Sequence, residues 1–469
     1  MATPTLTDSP SAIGSFTSEA FGRALAAHRG APAWWLDAKR AAYERFAGMP
    51  LPRRTDENWR FSTISSLNLD GYALPEAAGA GWRIPQLDFE SAGSLTFVNN
   101  RLVGKTAISA ALAAQGVIVT TLGEALQKHG DILKQHFMAQ TQRLGSEKFA
   151  SLHTAFVADG AFIYVPRGVE LPHPILVVHG VRGDAAAVFP HTLVIAEDRA
   201  TACVVDFFTA LEDASPLSRL IGKIEGAAPA ATRDGLRALV GAGSPALAVG
   251  ASDLYAGHGA KLTYVSVQNW TRETLAFQFN SKIVRRDAHA QSVSLHLGGR
   301  QARYESHSQL QAPGASSEML ALTVANGAQE FDQRTLQIHQ APNTTSNLLY
   351  KNALLDTART IFSGLIIVDP DAQKTNAYQS NRNLMLSDGA EANSLPGLEI
   401  LANDVRCTHG ATTSRIDPEQ QFYLQARGIK PAVAHELLIA AFFEDVLKRL
   451  DHEKLHAALA RLIQAKLEG

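Results

Sequence analysis

The stretch Thr192-Leu193-Val194-Ile195-Ala196-Glu197-Asp198-Arg199-Ala200 decides how the middle of the chain is read. A short run rich in β-branched residues forms a strand, and a charged turn ending on a small alanine closes it. The same pattern recurs on both sides. Phe162-Ile163-Tyr164-Val165 and Ile175-Leu176-Val177-Val178 are further strand runs. Gly257-His258-Gly259-Ala260, Arg286-Asp287-Ala288-His289-Ala290, Pro313-Gly314-Ala315 and Ser387-Asp388-Gly389-Ala390 are further turns, most of them followed by a new strand. Alanine at the corner, after glycine or a polar residue, suits a tight bend with little room inside. Short strands repeating at roughly 20–30 residues mark a stacked solenoid. Long helices are missing from this region. The expected fold is therefore mainly β, a parallel β-helix, with a large β-sandwich as the competing architecture.

Working outward, residues 16–29 and 32–47 carry apolar residues at helical spacing, with Gly30 and Gly48 as stops and Trp34, Trp35 and Tyr43 packing between helices. Thr55-Asp56-Glu57-Asn58-Trp59-Arg60 reads as a helix start. A helical interlude is expected over 122–149. Residues 216–245 read as an Ala/Gly-rich insertion with a weak strand at 219–224. Past Gly410 the pattern turns helical again. Asp417 caps a helix with Pro418 first and Gln420 completing a capping box, and Gly428 ends it. Pro431 opens a second helix with Val433, Leu437, Leu438, Ala441, Phe442 and Leu450 on its apolar face. A third carries Leu455, Leu459, Leu462, Ile463 and Lys466 on one side. The expected domains are 1–94 (N-terminal helical), 95–415 (β-helix core) and 416–469 (C-terminal helical).

The chain has 469 residues, 46% of them hydrophobic and 19% charged, with a net charge of -2. This describes a globular protein with a sizeable core. No dense Lys/Arg run or basic stripe points to nucleic acid or an acidic membrane surface. Two cysteines, Cys203 and Cys407, exclude a disulfide framework and any single-chain four-cysteine site, and they suit a reducing cytosol. No run of eighteen apolar residues exists, and residues 1–20 lack the apolar core of a secretory signal, so the expected location is the cytoplasm.

Several fragments imitate known motifs. Val103-Gly104-Lys105-Thr106 resembles the end of a phosphate loop, but Asn99 stands where the first glycine belongs. Gly241-Ala242-Gly243-Ser244-Pro245-Ala246 resembles a dinucleotide fingerprint, but Pro245 falls at the opening of the required helix. Asp369-Pro370-Asp371 offers two carboxylates, as a β-helical carbohydrate-active enzyme would need. The interposed proline makes it a turn. His296, His307 and His339 read as surface or hydrogen-bonded residues.

The chemically informative segment is Val405-Arg406-Cys407-Thr408-His409-Gly410-Ala411-Thr412. In an extended strand Cys407 and His409 project to one side, about 6–7 Å apart. A thiolate and an imidazole beside small Gly410 and Ala411 suit a soft or borderline metal such as iron. The plainer reading is a buried cysteine beside a capping histidine. A Cys/His-dependent hydrolase is a third reading, though side chains so far apart on a flat strand share no hydrogen bond readily, and no orienting acid is identifiable. Cys203 has no such neighbour and reads as core.

At this segment the sequence resembles the SufB/SufD family. Arg406-Cys407-Thr408-His409-Gly410-Ala411-Thr412 and Phe422-Tyr423-Leu424-Gln425-Ala426-Arg427-Gly428-Ile429 carry the resemblance, together with Phe331-Asp332-Gln333-Arg334-Thr335, His339-Gln340-Ala341-Pro342, Phe362-Ser363-Gly364, Gln379-Ser380-Asn381-Arg382-Asn383-Leu384 and Pro396-Gly397-Leu398-Glu399-Ile400. The low cysteine count and Arg53-Arg54-Thr55-Asp56-Glu57-Asn58-Trp59-Arg60 look more like the SufD branch. The resemblance implies a right-handed parallel β-helix flanked by helical domains. It implies a non-enzymatic scaffold in a SUF-type iron–sulfur cluster assembly complex. The partners it implies are a SufB-like paralogue and a SufC-like ATPase, with a homodimer as the alternative for the isolated chain. Cys407 and His409 would contribute to a transient iron–sulfur cluster or iron site shared between subunits. One Cys and one His cannot hold a cluster alone, since a cluster usually takes four protein ligands. A reduced flavin is associated with such complexes, but no flavin motif is present. The apolar surplus of the C-terminal helices, with Phe422, Tyr423, Leu424, Arg427, Leu437, Leu438 and Phe442, would dock the ATPase. A chain cut after Thr412 is expected to stay soluble.

Overall fold

The computed structural model describes residues 12–76, 89–211 and 244–468. The strand expected at 219–224 and the glycines at 241 and 243 lie outside the described residues.

The chain opens with helices α1 (Ser18–Ala26) and α2 (Ala33–Gly48), then strands β1 (Gly93–Val98) and β2 (Arg101–Thr106). Helix α3 (Ala110–Ala114) and strand β3 (Ile118–Thr121) lead to α4 (Leu122–Lys128), α5 (Gly130–His136) and α6 (Glu147–Phe156). The expected interlude thus breaks into three helices. Strands then dominate: β4 (Ala161–Val165), β5 (Ile175–Val181), β6 (Ala186–Val188), β7 (His191–Ala196), β8 (Thr201–Ala210), β9 (Ala246–Ala256), β10 (Lys261–Asn269) and β11 (Leu275–Val284). They continue as β12 (His289–His296), β13 (Gln301–Leu310), β14 (Ser316–Ala325), β15 (Glu330–His339), β16 (Thr345–Leu354), β17 (Arg359–Val368), β18 (Asn376–Met385), β19 (Glu391–Ile400) and β20 (Arg406–Ser414).

The chain alternates between two sheets. One runs β2-β1-β5-β8-β10-β12-β14-β16-β18-β20, the other β19-β17-β15-β13-β11-β9-β7-β4-β3. Pairing is parallel except for β1 with β2 and β3 with β4. This is a parallel β-solenoid, with successive coils in register. The phosphate-loop fragment lies inside β2, in an antiparallel pair and not at a strand-to-helix junction.

The corners show why the sequence coils. Arg199, Gly259, Asp287, Gly314, Asn343 and Lys374, one per coil, take positive φ of 53–74°. Each precedes a small residue turned inward: Ala200, Ala260, Ala288, Ala315, Thr344 and Thr375 are at most 1% exposed. Backbone bonds tie corner to corner, as from Lys261 N to Ala200 O and from His289 N to Ala260 O, both 2.8 Å. A larger side chain at these inner positions would force neighbouring coils apart.

The N-terminal helices cover one sheet. Phe149 of α6 stacks on Phe277 of β11 at 3.8 Å. Helices α2 and α6 cap each other: Lys39 donates to the carbonyls of Ala155 and Val157, and Lys148 to those of Phe46 and Met49. A cation at a helix C-terminus satisfies orphan carbonyls and complements the helix dipole. Between these helices and the solenoid runs a strap. Arg303, Arg334 and Arg359 donate to the carbonyls of Asn58, Arg60 and Phe61, while Ser62 and Thr63 donate back to Asp332 and Glu330. These bonds hold the segment open, so the helix expected at Thr55–Arg60 is reduced to a single 3-10 turn, Glu57–Trp59.

Helices α7 (Pro418–Gln425), α8 (Pro431–Leu447) and α9 (Glu453–Glu468) follow β20. Asp417 caps α7, accepting from Glu419 N at 2.9 Å, one position earlier than a capping box requires. The apolar face expected for α8 is right only in part: Phe442 packs against the solenoid cluster and Leu450 is buried in it, but most of the face is misplaced. The helix buries Ala434, Ile439, Phe443, Val446 and Leu447, and leaves Val433 and Leu437 exposed. It is apolar on nearly every side, so periodicity alone does not choose the face. The α9 row Leu455, Leu459, Leu462, Ile463 and Lys466 is buried as expected. The four apolar side chains cluster with Leu320, Leu322 and Leu349 on the solenoid. A chain cut after Thr412 would bare that cluster, which counts against the expectation that it stays soluble. Each fully buried Leu, Ile or Phe lost from it forfeits about 1.5–3 kcal/mol.

Candidate metal centre

β20 ends its sheet, and its register fixes where its side chains face. Cys407 pairs with Ala377 and His409 with Gln379. Ala377 and Gln379 are buried in the lumen, whereas Tyr378 between them is 43% exposed. In-register parallel neighbours share a face, so Cys407 and His409 both look into the open mouth of the last coil. Cys407 is half-buried against a cluster that includes Ile366, Val368, Ala377 and Ala402. His409 is exposed.

Burial pushes the Cys407 thiol above its usual range, partly offset by a hydrogen bond from the Ala377 backbone. A nucleophilic cysteine needs the opposite shift, which counts against the hydrolase reading. A metal ligand does not, because the metal displaces the proton as it binds. Among the described residues no three His, Cys, Asp or Glu side chains converge as a metal site. Cys203 is largely shielded, and burial raises its pKa to about 12.

Both sheets stop at this coil. No described strand pairs with the outer edge of β19 or β20. Arg406 N donates to Thr375 O of the preceding coil. Backbone groups alternate in direction along a strand, so those of Cys407, His409, Ala411 and Thr413 point to the open side. Ile400 and Leu401, at the rim, are 39% and 55% exposed.

Beneath this row the lumen is polar. Gln333 donates to Thr323 and Asn352, Asn352 to Asn383, and Asn383 to Asn381 and the carbonyl of Thr412 in β20. His296 joins the chain at Thr323. Like His339, it is a buried, hydrogen-bonded residue of the interior; His307 is buried as well. The alternation Gln379-x-Asn381-x-Asn383 is the signal of this column in the sequence: three amides on one face of a single strand. Asp369-Pro370-Asp371 forms a corner turn, with Ala372 N donating to Asp369 O.

Of the residues expected to meet a partner, those on α8 sit apart from this mouth, because α8 packs on β14 and β16. Helix α7 buries no residue. Phe422 is 71% exposed, Tyr423 55% and Leu437 48%. Leu424 and Leu438 are half-buried, and the Arg427 guanidinium lies 3.5 Å over the Tyr423 ring. Phe442 is engaged with the solenoid: Lys351 sits over its ring and donates to its carbonyl at 2.6 Å. Among the described residues no helix is long and apolar enough to cross a membrane.

Residues 179–442 match the model of the SUF system FeS cluster assembly SufBD core domain, and residues 26–177 that of the SufBD protein N-terminal region. Over 443 residues the chain is 26% identical to the iron-sulfur cluster assembly protein SufD of Bacillus subtilis (strain 168), covering 93% of this chain and 95% of that protein. It is 25% identical over 456 residues to SufB of the same organism, covering 93% and 90%. An iron-sulfur cluster assembly SufBD family protein of Synechocystis is 26% identical over 443 residues, covering 92% and 91%.

Proposed function

Since the chain belongs to the SufB/SufD family of iron–sulfur cluster assembly proteins and is most like SufD, we propose that it is the SufD-type scaffold of a SUF complex. In this reading Cys407 and His409 are its share of a cluster site that a SufB-like subunit completes. The cluster is cargo, built and passed on. The carrying observation is that both residues face the mouth of a coil whose two sheet edges are open. An exposed edge is a template for strand addition. A partner solenoid added there would extend the sheets and bring its own ligands to the mouth. Incomplete ligation by each subunit suits a site that must release its product.

The exposed apolar side chains of α7 and α8, led by Phe422, Tyr423 and Leu437, fit a SufC-like ATPase, which would supply the driving force this chain lacks. Motion there reaches β20 through the short link 415–417. Any flavin would belong to the assembled complex.

The test is pull-down of the SufB-like subunit by the tagged chain and by Ala411→Pro. The substitution removes an outward-pointing N–H from the free edge and touches neither Cys407 nor His409. Loss of the partner by a folded variant supports strand addition. Undiminished capture overturns it. A homodimer through the same edge would appear as self-association lost in the same variant.

A further inference from the structure

We propose that Gln379 is a positioning residue of the metal centre, its side-chain oxygen holding the His409 imidazole while the other ring nitrogen binds metal. The inference rests on the reading of Cys407 and His409 as ligands.

Gln379 is His409's in-register neighbour on the adjacent strand, and both face the lumen. Neighbouring strands lie about 4.8 Å apart, within reach of two such side chains. Gln379 is 0% exposed. Its Nε2 donates to Gly364 O at 3.2 Å, whereas its Oε1 is buried without a hydrogen-bond partner. A buried carbonyl left unpaired is a standing cost, and a leucine of similar size would avoid it. The sequence nonetheless makes room for the amide, because a Cβ at Gly364 would stand 2.5 Å from Oε1. An unpaired acceptor on the neighbouring strand, facing the same side as a candidate ligand, is what a metal-bound imidazole needs. Such a ring donates its second N–H to a carbonyl or carboxylate, which fixes its tautomer and orientation.

Purified full-length chain is titrated anaerobically with Co²⁺, following the thiolate-to-cobalt absorption and, separately, thermal melting. The variants are Gln379→Leu, Gln379→Met, Gln379→Glu and Cys407→Ala. The expected result is a thiolate band in the wild type that Cys407→Ala abolishes. Gln379→Leu and Gln379→Met should bind Co²⁺ about 10-fold or more weakly, with melting temperatures equal to or above wild type. Gln379→Glu, which keeps an acceptor, should recover the binding. Wild-type affinity in the Leu and Met variants overturns the proposal, and so does weakened binding that merely tracks a fall in melting temperature. If the wild type shows no thiolate band, the ligand reading itself fails and this inference with it. A normal band that is indifferent to residue 379 leaves the ligands standing and removes only Gln379.

Discussion

Gly364 and Gln379 share one space from opposite sheets: Nε2 of Gln379 donates to the Gly364 carbonyl at 3.2 Å, and any Cβ at 364 would collide with its Oε1. Two of the sequence segments that looked distinctive, Phe362-Ser363-Gly364 and Gln379-Ser380-Asn381, are thus one structural feature. Gly364→Ala should cost about 1–3 kcal/mol through overpacking. Gln379→Ala should relieve most of it, so that the double variant loses less than the sum of the singles. Denaturant midpoints of the four proteins measure the coupling. Strict additivity would mean the two residues do not meet.

The strap makes a second prediction. Asp332 accepts from Arg303, from Arg334 Nε at 2.6 Å and from Ser62. Removing its charge leaves two buried guanidiniums short of a partner. Asp332→Ala should therefore lose about 3–5 kcal/mol. Proteolysis within residues 53–67 should accelerate before the solenoid is cut. Uniform cleavage across the chain would show that the strap and the core do not separate.

His296 sits in the lumen, stacked on Tyr304 at 3.7 Å, and burial lowers its pKa from 6.5 to about 3. Below about pH 6.5 the unfolded chain takes up a proton that the folded chain refuses until about pH 3. On this group stability is complete above 6.5 and falls as the pH drops toward 3. Between pH 7 and pH 5, the denaturant midpoint of wild type should fall further than that of His296→Gln. Parallel pH profiles would place the imidazole in contact with solvent.

Phe422 and Leu437 are exposed, whereas Ile439 and Phe443 are at most 3% exposed. Phe422→Glu and Leu437→Glu should leave the melting temperature unchanged and weaken capture of the SufC-like ATPase by 10-fold or more. This is the range of a contact worth at least about 1.4 kcal/mol. Phe443→Glu should destabilise the chain itself. Full ATPase capture by the Phe422 and Leu437 variants would move the docking surface elsewhere.

The solenoid was legible because a coil needs a tight corner at every turn. Left-handed backbone followed by alanine, as at Asp287-Ala288 and Gly314-Ala315, is written locally. So was the facing of Cys407 and His409, which follows from strand parity alone. The strap was not legible: Arg303 and Asn58 are brought together by the fold, and nothing local to residues 55–60 announces three distant arginines. The buried face of α8 was misread because Leu437 and Ile439 are equally apolar, and only the docked sheet separates them. The role of Gln379 was invisible for a similar reason. Its unpaired oxygen matters only once Gly364 and His409 lie across from it and beside it.

The most direct measurement is the iron and acid-labile sulfide held by the complex that this chain is proposed to form with a SufB-like and a SufC-like subunit, isolated anaerobically after co-expression. Cys407→Ala and His409→Ala should each assemble the complex at wild-type yield while retaining little or no iron and sulfide. Wild-type cluster content in both variants would contradict the assignment and return Cys407 to the role of a half-buried structural residue.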